Sequence, residues 1–418
     1  MDLRCCKNSR VRSALIFIIA VILFLGCQSS SQEDVIEPEA QQKDIQEKAS
    51  AYPQNPVFEE SEVYVSGTGG YDTYRIPSLI ATQNGTLLAF CEGRKAGAAD
   101  AGNMDLLLRR SEDGGQTWSE PQVIWDDGEN FCGNPCAVID EQTGTIWLFM
   151  IWKNGKDEEW MIHLGIGKDT SRVFSTYSGD DGKTWAEPTE ITAMVKSADW
   201  RWYATGPGIG IQLKYGEHKG RLVIPCNHST TMLALGSHAI FSDDHGQTWS
   251  YSNSIPGGCD EAQVVERIDG TLEMNMRMQR WSRGYRAISL SMEEGETWSW
   301  RSHDTNLPDP KCQASIIRYT TTDDSDKNRL LFSNPATGGR NGMTVRMSYD
   351  EGKTWPVAKL IFPGSSAYSC LTVLKDKTIG LLYEKDNYGK ITFAHFDLLF
   401  LTEGRDSIEK DRRNLFYK

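Results

Sequence analysis

SEDGGQTW at Ser111–Trp118 recurs as SGDDGKTW at Ser178–Trp185, SDDHGQTW at Ser242–Trp249, SMEEGETW at Ser291–Trp298 and SYDEGKTW at Ser348–Trp355. The shared pattern is S-x-D-x-G-x-T-W, broken once, where Glu293 stands in place of the Asp. Ser and Asp side chains hydrogen-bond amides a few residues on, Gly supplies a positive φ, and Thr-Trp opens the next strand with a large apolar anchor. A strand-like run precedes each copy: DLLLRRS, SRVFSTYS, SHAIFS, YRAISLS and MTVRMS. Each copy is therefore read as a hairpin turn between two strands. Recurrence at roughly fifty to seventy residues marks a repeat architecture whose period suits a propeller blade. A calcium-loop reading fails, because the carboxylates are too few and no Glu stands at a twelfth position.

The 418 residues, with 13 Trp and 38 Gly, suit one large all-β domain of short strands and tight turns, and the even spread of the repeats argues against two. The N-terminus is a different object. Arg4, Lys7, Arg10 and Arg12 precede an apolar run from Ala14 to Gly26, too short to span a bilayer and right for the core of a secretory signal. Cys27 after Leu-Phe-Leu-Gly resembles a bacterial lipoprotein cleavage site, although Leu25 stands where a small residue is usual; simple secretion and an uncleaved anchor are the alternatives. Residues 28–55 are polar and acidic, the composition of a tether. The expected domains are a signal at 1–27, the linker at 28–55, the propeller at 56–403 and a tail at 404–418.

Residues 1–27 carry four positive charges and one negative, so their removal takes the net charge from −13 to −16. Nucleic acid is an improbable partner, and an anionic substrate needs a local basic site. Seven cysteines follow Cys27: Cys91, Cys132, Cys136, Cys226, Cys259, Cys312 and Cys370. An odd number leaves at least one unpaired, and buried thiols are the expectation, with a small loop closed by Cys132 and Cys136 as the alternative. The seven His show no metal-ligand spacing, so neither a catalytic metal nor another cofactor is expected.

The repeats resemble the Asp-boxes of the sialidase superfamily, and the resemblance extends from about Val57 to Leu401, taking in GNPCAVIDEQTGTIWL and TGPGIGIQL. It implies a six-bladed β-propeller. It also implies a solution to one chemical problem, since sialic acid carries a carboxylate on its anomeric carbon that would repel a carboxylate nucleophile. The family binds that charge with three arginine forks and attacks with a neutral tyrosine.

By this resemblance YDTYRIPSL assigns Arg75 as the first arginine, CDEAQVVERIDGTLEMNMR assigns Arg277 and LFSNPATGGRNGMTVRMS assigns Arg340. Arg286 and Arg346 fall in the strands approaching the repeats and are given structural roles. The E-G-R segment followed by a loop makes Asp100 the acid/base and Arg94 a further pocket residue, with Asp105, which opens the strand to the first repeat, as the rival. Tyr368 in GSSAYSCL matches the nucleophile motif, and Glu261 is the base that takes its proton. Tyr383 and Glu384 are a rival pair assigned to a core strand, and Glu266 is outranked by Glu261.

The function implied is a retaining exo-α-sialidase acting on sialylated glycans. A trans-sialidase with the same machinery and an inactive sialic-acid-binding lectin are the alternatives; a lectin needs the arginines but not Tyr368, Glu261 and Asp100. The departures from the family pattern are Glu293, the missing sixth repeat, and Cys370 where a carboxylate is common. The protein is expected to be an exported bacterial monomer that meets a membrane only through a lipid anchor on Cys27.

Overall fold

The computed structural model describes residues 55–408. The signal-like run, Cys27, nearly all of the acidic stretch and residues 409–418 lie outside them. The described chain is all-β apart from three short helices, Glu159–Leu164, Thr192–Val195 and Leu398–Thr402. Runs such as LLAFC in Leu87–Arg94 are buried on both faces, so they read as unbroken apolar segments rather than alternating ones.

Most of the strand pairings fall into antiparallel meanders of four strands, and short parallel pairings link Phe131–Ile139 to Gly208–Ile209 and to Met104. The first meander is Thr73–Ala81, Leu87–Arg94, Met104–Ser111 and Gln122–Trp125. The second is Phe131–Ile139, Ile146–Lys153, Arg172–Ser178 and Thr189–Glu190. The third is Trp200–Thr205, Leu222–Thr230, Leu235–Ser242 and Ser250–Tyr251, and the fourth is Cys259–Glu266, Leu272–Met278, Tyr285–Ser291 and Ser302–Pro308. The fifth comprises Ser315–Thr320, Arg329–Pro335, Asn341–Ser348 and the first half of the long strand Val357–Val373. The sixth takes the second half of that strand, then Ile379–Lys385, Lys390–Phe396 and finally Phe58–Val65, from the other end of the domain.

Every repeat sits between the third and fourth strands of its meander. In the second copy the Asp180 carboxylate accepts from Ser178 Oγ at 2.8 Å, Thr184 N at 2.9 Å and Thr184 Oγ1 at 2.6 Å, and Gly182 N donates to Ser178 Oγ at 3.0 Å. The sixth meander has no such repeat for a topological reason: its fourth strand arrives from the N-terminal side, so no turn joins it to Lys390–Phe396. The box tryptophans join neighbouring meanders. Trp118 packs edge-on against Phe393 of the sixth, Trp185 against Phe90 of the first, and Trp249 against Phe149 of the second. The box glycines lie against the same neighbours; Gly115 has φ +92°, and a Cβ there would stand 2.1 Å from the Phe393 ring.

All seven cysteines are buried free thiols, Cys132 and Cys136 included. Chain assigned to a tail from residue 404 begins packed: buried Asp406 accepts from Arg329 Nε at 2.8 Å, Lys327 Nζ at 2.9 Å and Tyr349 Oη at 2.8 Å.

Candidate active site

In an antiparallel meander the turn between strands two and three lies at the opposite end from the turn between strands three and four. The repeats occupy one end. The other is edged by the hairpin loops that carry Asp100, helix Glu159–Leu164, Arg340 and Tyr388, and by the starts of the innermost strands. At this end those strands lose their regular register. Pairing slips between Arg75 and Ser78, Gly133 and Cys136, Trp200 and Tyr203, Cys259 and Ala262, and Ser366 and Ser369. Arg75, Asn134, Trp202, Glu261 and Tyr368 each lie at or inside one of these irregularities, and all five line one pocket. A bulge re-aims a side chain that would otherwise lie across the sheet face. Ile76 is the sharpest case, a β-branched residue at φ +62° next to Arg75, with its amide held by Glu384 Oε1 at 2.9 Å. Pro77 follows, where a missing N–H costs no ladder bond.

The structure brings together all seven residues singled out in the sequence: Arg75, Arg94, Asp100, Glu261, Arg277, Arg340 and Tyr368 line the same pocket. Tyr368 Oη donates to Glu261 Oε1 in a very short contact. Arg277 Nη1 donates both to Glu261 Oε2 at 2.5 Å and to Tyr368 Oη at 2.9 Å. The guanidinium carbons of Arg75 and Arg340 lie 5.2 and 5.3 Å from the Tyr368 ring centroid. Three forks thus surround one phenol. Burial and the Glu261 charge push the phenol pKa well above its ordinary value, against the three arginines, so Tyr368 is neutral and holds its proton on the bond to Glu261.

Asp100 sits on the loop after Leu87–Arg94 with 65% of its side chain exposed; Arg94 Nη1 reaches its carboxylate at 2.8 Å and Arg75 Nη1 at 3.5 Å. Partial burial raises its pKa, but Arg94, Arg75 and the Arg94 hydrogen bond together bring it below the ordinary value. Arg94 is itself buried against Glu92, at 3.0 and 2.7 Å. Asp260 behaves oppositely: burial, with Glu261 and Glu159 nearby, overcomes Arg277 and pushes it up to about 7.

The rivals sit in structural roles. Arg286 is fully buried and donates to Asn275 Oδ1 at 2.7 Å and Cys312 O at 2.8 Å, while Arg346 meets Asn334 Oδ1 at 3.2 Å. Asp105 is buried under Tyr71 Oη at 2.5 Å. Glu266 accepts from the amides of Lys214 and Tyr215 at 2.7 and 3.0 Å.

Among the site residues that escaped the sequence reading are Glu384 and Tyr388. Glu384, assigned to a core strand, is fully buried there, yet it accepts from Arg75 Nε at 3.1 Å and Tyr368 N at 3.0 Å, fixing both. Its signal was a carboxylate inside the buried run IGLLYE, which demands a cationic or amide partner. Tyr388 lies between two of the arginines, its ring 4.2 Å from Arg75 Cζ and its hydroxyl 3.0 Å from Arg340 Nη1; nothing in its turn sequence marked it. No cluster of His, Cys, Asp or Glu able to hold a metal ion is present among the described residues.

A BNR repeat-like domain matches residues 85–383. A sialidase of Micromonospora viridifaciens is 36% identical over 366 residues, 83% of this chain and 55% of the relative, so the chain spans little more than half of that protein's length. An exo-alpha-sialidase of Aspergillus fumigatus is 32% identical over 80% of this chain and 86% of its own. Among solved structures, a Hadza microbial sialidase superposes with a TM-score of 0.74 at 34% identity, covering 82% of this chain and 69% of that one.

Proposed function

The chain belongs to the sialidases built on a BNR repeat-like domain, and on that premise we propose that it is an exo-α-sialidase, hydrolysing terminal α-linked sialic acid from glycoconjugates with retention of configuration. The meanders are taken as the six blades of its propeller. The observation that carries the reading is the contact set of Tyr368, Glu261 and Arg277 inside a cluster of three arginines. A binding protein has use for the arginines; a neutral phenol hydrogen-bonded to a carboxylate base is equipment for attack on carbon.

Arg75, Arg277 and Arg340 hold the substrate carboxylate, whose planar pair of oxygens matches guanidinium forks. This placement sets the anomeric carbon over Tyr368 Oη. Glu261 takes the phenol proton as the oxygen attacks, and Asp100 gives a proton to the departing glycosidic oxygen. Water then enters, Asp100 removes its proton, and Tyr368 leaves and recovers its own from Glu261. The free Asp100 carboxyl is too acidic for the first step because Arg75 and Arg94 face it. A bound substrate carboxylate offsets Arg75 and covers the exposed loop, and both changes raise the Asp100 pKa toward the working range.

The test is release of fluorophore from an aryl α-sialoside, with the first-formed sugar anomer followed by NMR and products separated with and without a sugar acceptor. Hydrolysis to the α-anomer is the expected result. Release of the β-anomer refutes retention, transfer to the acceptor as the main product favours a trans-sialidase, and no turnover favours a lectin. Export and lipid anchoring at Cys27 are proposed from the sequence alone; Cys27→Ala should abolish fatty-acid labelling and release the protein from membranes.

A further inference from the structure

Lys153 ends the strand Ile146–Lys153 and is 1% exposed. A buried ammonium ordinarily pairs with a carboxylate. This one donates instead to two backbone carbonyls, Asp100 O at 2.7 Å and Asp157 O at 2.8 Å, and lies 5.0 Å from the Phe131 ring. Burial lowers its pKa below the ordinary lysine value, and the nearby carboxylates of Glu159, Asp100 and Glu92 offset only part of that.

The two carbonyls belong to different loops. Asp100 lies in the hairpin of the first meander; Asp157 lies in that of the second, just before the helix whose Glu159 lines the pocket. The Asp157 carboxylate accepts from the amides of Lys168 and Asp169 at 2.9 and 3.0 Å, closing the base of its loop. The Asp100 carboxylate is exposed to the pocket, yet its own carbonyl is bound to a buried cation. An accessible side chain on a fixed backbone is what a proton donor needs to reach a leaving group at a set distance.

We propose that Lys153 is a positioning residue for the proton donor, fixing the Asp100 loop to the Glu159 loop through one buried ammonium. The inference rests on the sialidase reading with Asp100 as acid. Lys153 touches no reacting atom, so its loss should register only where proton donation limits the rate.

The experiment compares Lys153→Met and Lys153→Gln with the parent on a sialyl-galactoside and on an aryl sialoside with an acidic leaving group, alongside thermal melts. A misplacement of about 1 Å can cost on the order of 10²-fold. Lys153→Met is expected to lose about that much on the galactoside and less than about threefold on the aryl sialoside, with Lys153→Gln between it and the parent. Combined with Asp100→Ala, it should add nothing further on the galactoside. Equal losses on both substrates, additive losses in the double variant, or failure of both single variants to fold would overturn the positioning role. A parent protein inactive on both substrates strikes down the sialidase reading and this inference with it.

Discussion

The two ends of the meanders handle carboxylates in opposite ways. At the box end the third-position Asp of a box is satisfied within its own turn: Asp180 binds Ser178 and Thr184, and the Thr184 hydroxyl and amide hold its pKa down at about 2. At the pocket end the partners come from distant parts of the chain. Glu384 meets Arg75 across 309 residues and Glu261 meets Tyr368 across 107. There burial competes with the arginines, and Asp260 is pushed up to about 7. A local carboxylate stabilises a turn and can titrate without consequence for chemistry; a carboxylate assembled from several meanders has a pKa set by the whole fold, and that is where chemistry can be tuned.

Substitutions at the pocket end should change rate with little change in melting, and those at the box end the reverse. The largest effect is expected for Tyr368→Phe, which removes the oxygen proposed to attack and should lower kcat/KM by at least about 10³-fold on both natural and aryl sialosides. Asp100→Ala should lose about 10²- to 10³-fold on a sialyl-galactoside and less than about tenfold on an activated aryl sialoside. If the two variants exchange these patterns, the roles are assigned wrongly. Arg340→Lys keeps the charge but loses the fork; about 10²-fold in kcat/KM is expected, and near-normal activity would remove Arg340 from the carboxylate site.

At the box end, Asp180→Ala should cost about 1 kcal/mol in a solvated turn, read as a melting shift of ~2 °C with kcat/KM unchanged. Its folded pKa lies below the unfolded one, so its contribution is complete above about pH 4 and disappears as pH falls through about 2. The parent should therefore lose its advantage over the variant in acid melts across that window. The smallest effect concerns the irregular fourth box. Glu293 reaches Thr297 Oγ1 at 2.5 Å, but among the described residues neither Ser291 Oγ nor Thr297 N bonds its carboxylate as in the other boxes. Glu293→Asp should gain roughly 0.5 kcal/mol, and a loss of stability would mean that the fourth turn has a geometry of its own.

This contrast also explains what could be read in the sequence. The boxes were legible because the Ser, Asp, Gly and Thr bonds that shape each turn lie within eight consecutive residues, a pattern that repetition then displayed five times. Arg75, Arg277, Arg340 and Tyr368 were placed by resemblance, and the irregular pairing that aims Arg75 and Tyr368 into the pocket shows only in the folded strands. Glu384, Tyr388 and Lys153 stand in ordinary strand or turn sequence, and only the assembled meanders give them partners. Asp260 lies one position from Glu261 and went unweighed because its unusual state depends on burial and on Glu159, about a hundred residues earlier.

Strand Phe58–Val65 lies beside Lys390–Phe396, with Tyr383 Oη on Glu60 Oε1 at 2.5 Å and Trp118 Nε1 on Ser61 Oγ at 3.0 Å. The first of the described strands therefore has to wait for one that emerges more than three hundred residues later. At ribosomal speeds of about 5–20 residues per second that delay is roughly 20–60 s. During it the sixth sheet lacks its inner three strands, and Phe393 is not yet present to meet Trp118. The domain thus cannot complete itself on the ribosome before almost all of it has been made, so the first meander must persist with an open flank until the sixth emerges.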